Sequence, residues 1–76
     1  MKLKTFESVN ISTRTVYTVY SNWKEHVCVE RFTVDYLQDT HEELSKAVLK
    51  RNTYNDAVVR CIDVRCGEQH VSIEIK

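Results

Sequence analysis

The chain predicts an α+β fold: an antiparallel sheet of four or five strands in the order β-β-β-α-β-β, with one helix packed on one face. Three observations carry this reading. The single glycine among the 76 residues, Gly67, separates two alternating runs, Val58 to Cys66 and Val71 to Lys76, as a β-hairpin requires. The stretch from Gln38 to Arg51 combines a helix start with a 3.6-residue apolar stripe. Upstream, β-branched and aromatic residues dominate.

Taken in order, Thr5 to Ile11 and Arg14 to Tyr20 read as a first antiparallel pair, broken by the polar step Asn10-Ile11-Ser12-Thr13. Ser21-Asn22-Trp23-Lys24 reads as a turn. Glu25 to Tyr36 is out of phase for one regular strand, because Val27 and Val29 share one face and Phe32, Val34 and Tyr36 the other. A bulge near Glu30-Arg31 would bring both sets to the core. The helix begins after Asp39 or Thr40, with Thr40 and Glu43 spaced as a capping box, and runs to about Arg51. Leu44, Ala47, Val48 and Arg51 form its inner stripe, Glu42 and Lys46 pair outside, and Asn52 is placed to end it in a left-handed cap. Asn52 to Asp56 is a loop, and the closing hairpin follows.

This length makes one domain, residues 1–76, near the lower limit for a self-sufficient core. One helix cannot cover a sheet on both sides, so one sheet face is expected to stay open, with Tyr17 or Tyr20, Arg60, Arg65, Ser72 and Glu74 among the residues on it.

Eleven Lys and Arg balance eleven Asp and Glu, so the chain lacks the basic excess that phosphate binding draws on. Neutrality also removes colloidal repulsion and favours self-association or a stable partner, a homodimer included. No apolar run approaches the roughly 20 residues of a membrane span. Three cysteines, an odd number, and a start without a secretory signal place the chain in a reducing cytoplasm, the host cytosol if the chain is phage-encoded.

Chemistry is sparse. His26 and Cys28, with Cys61, Cys66 and His70, invite a zinc reading, but Cys61 and Cys66 are an odd number apart, which sends them to opposite faces of a regular strand. A catalytic cysteine would need a base and an anion nest, and one glycine supplies no phosphate loop, nucleophile elbow or dinucleotide fingerprint. The expectation is therefore no enzyme, no metal and no cofactor. Asp39, Glu42 and Glu43 suit a helix dipole, and with Asp35 nearby they make an acidic patch able to dock on a basic surface. Trp23 in its turn is either sheet-edge core or an interface anchor. Tyr17 and Tyr20 with Arg60 and Arg65 are the residues a nucleic-acid-binding face would use.

The run Arg31-Phe32-Thr33-Val34-Asp35, followed by the capped helix from Thr40 to Arg51 and a closing hairpin, resembles in size and layout the small inhibitors of phages and mobile elements, of anti-CRISPR, anti-restriction or antitoxin type. That resemblance implies a viral, non-catalytic protein that blocks a host defence or regulatory protein or ribonucleoprotein complex. The alternatives are a small nucleic-acid-binding domain using the open sheet face, and a self-assembling structural subunit joined through an edge strand.

Overall fold

The computed structural model describes residues 1–9 and 12–75. Its elements are α1 (Leu3–Val9), β1 (Arg14–Asn22), β2 (Val27–Asp35), α2 (His41–Thr53), β3 (Val58–Arg65) and β4 (Glu68–Glu74). The expected α+β architecture is present: a four-stranded sheet in the order β2-β1-β4-β3, with α2 packed on one face.

Two features depart from the expected detail. The segment expected as a strand from Thr5 is the helix α1; its last two residues, Asn10 and Ile11, lie outside the described residues. Leu3 and Phe6, three apart, face the core together from α1, a spacing that outweighs the strand propensity of Thr5 and Val9. The sheet is mixed, because β4 returns to pair in parallel with β1 while β1–β2 and β3–β4 are antiparallel. A parallel partner needs a long crossover, and α2 with β3 supplies it.

The core lies on one side of the sheet. Tyr17 and Val19 of β1, Val34 of β2 and Val71 and Ile73 of β4 are buried there beneath Leu3 and Phe6, with Leu44, Ala47 and Val48 of α2 packed against them. Thr40 and Glu43 close the capping box, Glu43 N–H donating to the Thr40 hydroxyl at 3.2 Å and Thr40 N–H to the Glu43 carboxylate at 3.0 Å. Asn52 lies inside α2 rather than capping it; the cap is Tyr54 at φ −104°, whose N–H reaches the carbonyls of Arg51 and Asn52.

At the closing hairpin Cys66 and Gly67 both have positive φ, 51° and 75°, the signature of a two-residue type I′ turn. A methyl group at Gly67 would meet nothing within 4 Å, so glycine is there for its backbone freedom. The bulge of β2 falls at Val29, one residue before the expected step, since Glu30 pairs with Val19 and Cys28 with Tyr20.

Candidate functional site

The turn between β2 and α2 is held by one buried carboxylate. Asp35, 3% exposed, accepts hydrogen bonds from the N–H groups of Leu37 (2.9 Å) and Gln38 (3.0 Å) and an ion pair from Arg14 (2.9 Å). Burial opposes its ionisation, but the two N–H groups and the Arg14 guanidinium outweigh it and hold the carboxyl below the usual carboxylate range. Asp35 was expected on the acidic surface; its place is inside the turn, because the strand end pairs Arg14 with Asp35 and leaves the carboxylate nowhere to go but the turn's own amides. The consequence is a fixed loop that displays two apolar side chains, Tyr36 half-exposed and Leu37 at 75%.

The other acids follow directly. Asp39 Oδ2 accepts from Asp35 N–H at 3.4 Å, Glu43 is tied into the capping box, and Glu42 sits in solvent 3.3 Å from Lys46. All three lie beside the Leu37 turn, and Glu43 is held below the usual carboxylate range by the Thr40 backbone and hydroxyl.

Next to this turn, on the helix side of the sheet, is a cleft of about 340 Å³ lined by Glu7, Thr13, Thr15, Tyr17, Tyr36 and Arg51, among others. Arg51 bridges it: Nε lies 2.8 Å from Glu7 Oε2, and Nη1 donates to the Tyr36 hydroxyl at 3.0 Å. The pair is skewed, leaving Glu7 Oε1 and Arg51 Nε buried with no in-line hydrogen-bond partner among the described residues. Burial pushes the Glu7 carboxyl up, against the pull of Arg51, and pushes the Tyr17 phenol up to about 12. Tyr17, expected as a candidate for the open face, is 3% exposed and belongs here instead: odd-numbered residues of β1 point toward the helices, and Tyr17 stacks on Phe32 at 5.1 Å. The sequence showed Arg51 only as part of a helix stripe and gave no sign of Glu7, which was assigned to a strand.

The opposite sheet face holds Tyr20, Arg60 and Arg65. Tyr20, Trp23 and His26 form an edge-on ring cluster with centroids 5.1 to 6.4 Å apart, and the Trp23 backbone N–H donates to the Glu74 carboxylate at 3.0 Å. Trp23 is thus half-buried, folded back on the sheet's end. The cations of this face are engaged: Arg14 with Asp35 and Glu68, Arg60 with Glu74, Arg65 with Asp63. Arg31 donates to Thr18 at 3.2 Å. Cys28, Cys61 and Cys66 are exposed thiols, and among the described residues no three His, Cys, Asp or Glu side chains converge.

No protein-family model matches the chain, and neither does any characterised protein or solved structure. The function is therefore argued from surfaces. Among the described residues no helix is long and apolar enough to cross a membrane.

Proposed function

We propose that this chain is a non-catalytic protein-binding module of the inhibitor type, which acts by occupying a surface of a larger protein or ribonucleoprotein complex through its β2–α2 turn. The observation that carries this reading is Leu37, three-quarters exposed on a turn whose backbone is fixed by the Asp35 carboxylate. A loop already ordered loses little conformational entropy when it docks, and Leu37 with Tyr36 offers it an apolar contact. With Tyr36 beside it and Asp39, Glu42 and Glu43 around it, the turn has an apolar centre and an acidic rim. Its complement is an apolar pocket in a basic surface, the kind of surface that nucleic-acid-handling complexes carry. The assignment to host defence or regulation rests only on the resemblance in size and layout to phage and mobile-element inhibitors.

The engagement of Arg14, Arg60 and Arg65 by carboxylates weighs against a nucleic-acid role, since those cations would have to exchange one anion for another. The test is capture of a partner from nuclease-treated host lysate by wild-type protein and by Leu37→Asp. The reading expects a discrete protein partner that Leu37→Asp loses while its circular dichroism spectrum stays unchanged. Retention of nucleic acid without a protein, or capture that survives Leu37→Asp, would contradict it. Charge reversal at Glu42 and Glu43 should weaken capture and flatten its salt dependence.

A further inference from the structure

The far edge of the sheet, opposite the β2–α2 turn, ends on β3, and its outer side changes character along its length. At its start Met1 and Lys2 lie along it: Lys2 bridges Val58, and Val59 N–H donates to the Met1 carbonyl at 2.8 Å. A bulge follows, since the register with β4 shifts between Val59 and Cys61. From Cys61 to Arg65 the ladder is regular, and among the described residues no strand lies outside it. The type I′ turn makes Arg65 and Glu68 a hydrogen-bonded pair, and such pairs alternate, so Asp63 and Cys61 also bond to β4. Ile62 and Val64 therefore turn their backbone N–H and C=O groups outward, with the Asp63 carboxylate close to the Val64 N–H. Their side chains, 44% and 67% exposed, stand on the helix side of the sheet. This half-strand carries no proline, lysine or bulge; it is short, and its two charges, Asp63 and Arg65, are of opposite sign and pair with each other.

We propose that this bare half of β3 pairs with β3 of a second copy of the chain, antiparallel about a two-fold axis at Val64, to form a continuous eight-stranded sheet. The occupant and the register follow from the residues. A two-fold axis at Ile62 would set Arg65 opposite Val59 of the second copy and Cys66 opposite Val58, where Met1 and Lys2 already lie. An axis at Asp63 would set two carboxylates face to face. The axis at Val64 uses Ile62 to Arg65 of the strand and brings Ile62 against Cys66 of the turn, at φ 51°, so the outward backbone groups that meet strand to strand are those of Val64 and its symmetry mate. It sets Val64 against its symmetry mate and places Asp63 opposite Arg65 of the second copy, twice. Asp63 and Arg65 already pair within one chain, so both side chains stand on the same face and need only exchange partners. The β2–α2 turns lie at the two far ends of such a sheet, which leaves both open to a partner.

The test is sedimentation velocity under reducing conditions, from about 10 μM to 1 mM, since a short pairing gives a concentration-dependent dimer. Wild type should shift from monomer to dimer across that range. Asp63→Arg and Arg65→Asp, each folded by circular dichroism, should weaken dimerisation by about tenfold or more, the double charge swap should restore it, and Val64→Lys should abolish it. A wild type that stays monomeric throughout, a double swap as weak as either single variant, or a dimer that survives Val64→Lys would each overturn the proposal. Leu37→Asp should dimerise as wild type does, which separates this result from the fate of the partner-binding turn.

Discussion

At one edge of the sheet β2 is bulged at Val29 and overlain by α2, from which Lys50 and the C-cap residue Tyr54 both reach Glu30; at the other, β3 runs in regular register from Cys61 to Arg65, and among the described residues no strand pairs with its outer side. Both edges belong to one small sheet, and both carry exposed valines, Val27 and Val29 on β2 and Val64 on β3. The difference lies in the backbone. A bulge breaks the repeat of outward N–H and C=O groups that a further strand would read, so exposed valines on β2 make poor docking points, whereas those on β3 sit beside an intact repeat. β2 is regular as well from Glu30 to Asp35, and β3 has its own bulge before Cys61, so the contrast rests on where the exposed valines sit: at a bulge on β2 and within the regular ladder on β3.

The largest effect tests what holds the covered part of β3 in place. Leu3 is fully buried and anchors α1, and residues 1 and 2 lie along the start of β3. Leu3→Ala should cost about 2–5 kcal/mol in urea unfolding, against about 1–2 kcal/mol for Leu44→Ala, whose side chain is only half-buried on α2 over β2. Equal costs would mean that α1 is not the element that closes the β3 side.

Gly67→Ala comes next. The turn sets Gly67 at φ 75°, so alanine should lose about 1–2 kcal/mol from left-handed strain alone, with the cleft and the β2 edge untouched. A loss confined to β3 and β4 in amide exchange supports the comparison; a loss spread evenly to β2 would weaken it.

The pH dependence distinguishes two carboxyls that both lie near the β2–α2 turn, Glu7 and Asp35. The Glu7 carboxyl is raised in the folded state, so its contribution to stability is fully present below its unfolded value, about 4.3, and is lost as pH rises through the folded one. Asp35 is lowered, so its contribution is present above about 3.9 and is lost as pH falls through the folded value. Relative to Glu7→Gln, wild type should gain stability as pH falls from 7 toward about 4.5, and relative to Asp35→Asn it should lose stability below about 4. Chemical unfolding at stepped pH reads both, and a wild type that parallels Glu7→Gln would show the Glu7–Arg51 pair to be solvated.

The smallest energetic effect is the sharpest comparison. Val64→Lys and Val29→Lys should each change stability by less than about 0.5 kcal/mol, being surface substitutions, yet only Val64→Lys should change self-association. If Val29→Lys alters it as well, the bulge does not protect β2.

Much of this was legible in the residues, unevenly. Gly67 announced its hairpin because one backbone geometry demands glycine, and Thr40 with Glu43 announced α2 because two side chains at fixed spacing close a capping box. Thr5 to Ile11 reads as a strand because the helix that spans Leu3–Val9 has two turns and offers just two apolar contacts, Leu3 and Phe6, too few for a period to stand out. The parallel β1–β4 pair was invisible for a different reason: strand order is set by where α2 and β3 carry the chain, not by any local pattern. Of the expected binding residues, Asp39, Glu42 and Glu43 lie beside the Leu37 turn, while Asp35 and Tyr17 are buried. A carboxylate at a strand end and a tyrosine at an odd position look the same in sequence whether they face water or the core. Leu37 itself, next to a tyrosine, carried no mark of being left outside.

The most direct measurement is a dilution series of amide nuclear magnetic resonance spectra on the reduced wild-type protein. The account predicts that dilution moves the resonances of Ile62, Val64, Arg65 and Cys66 along one saturating curve, while those of Val27, Val29 and Arg31 at the other edge stay fixed. Resonances that do not move at either edge, or movement centred on β2, would contradict the claim that an intact register at β3 is what makes one edge of this sheet a binding surface.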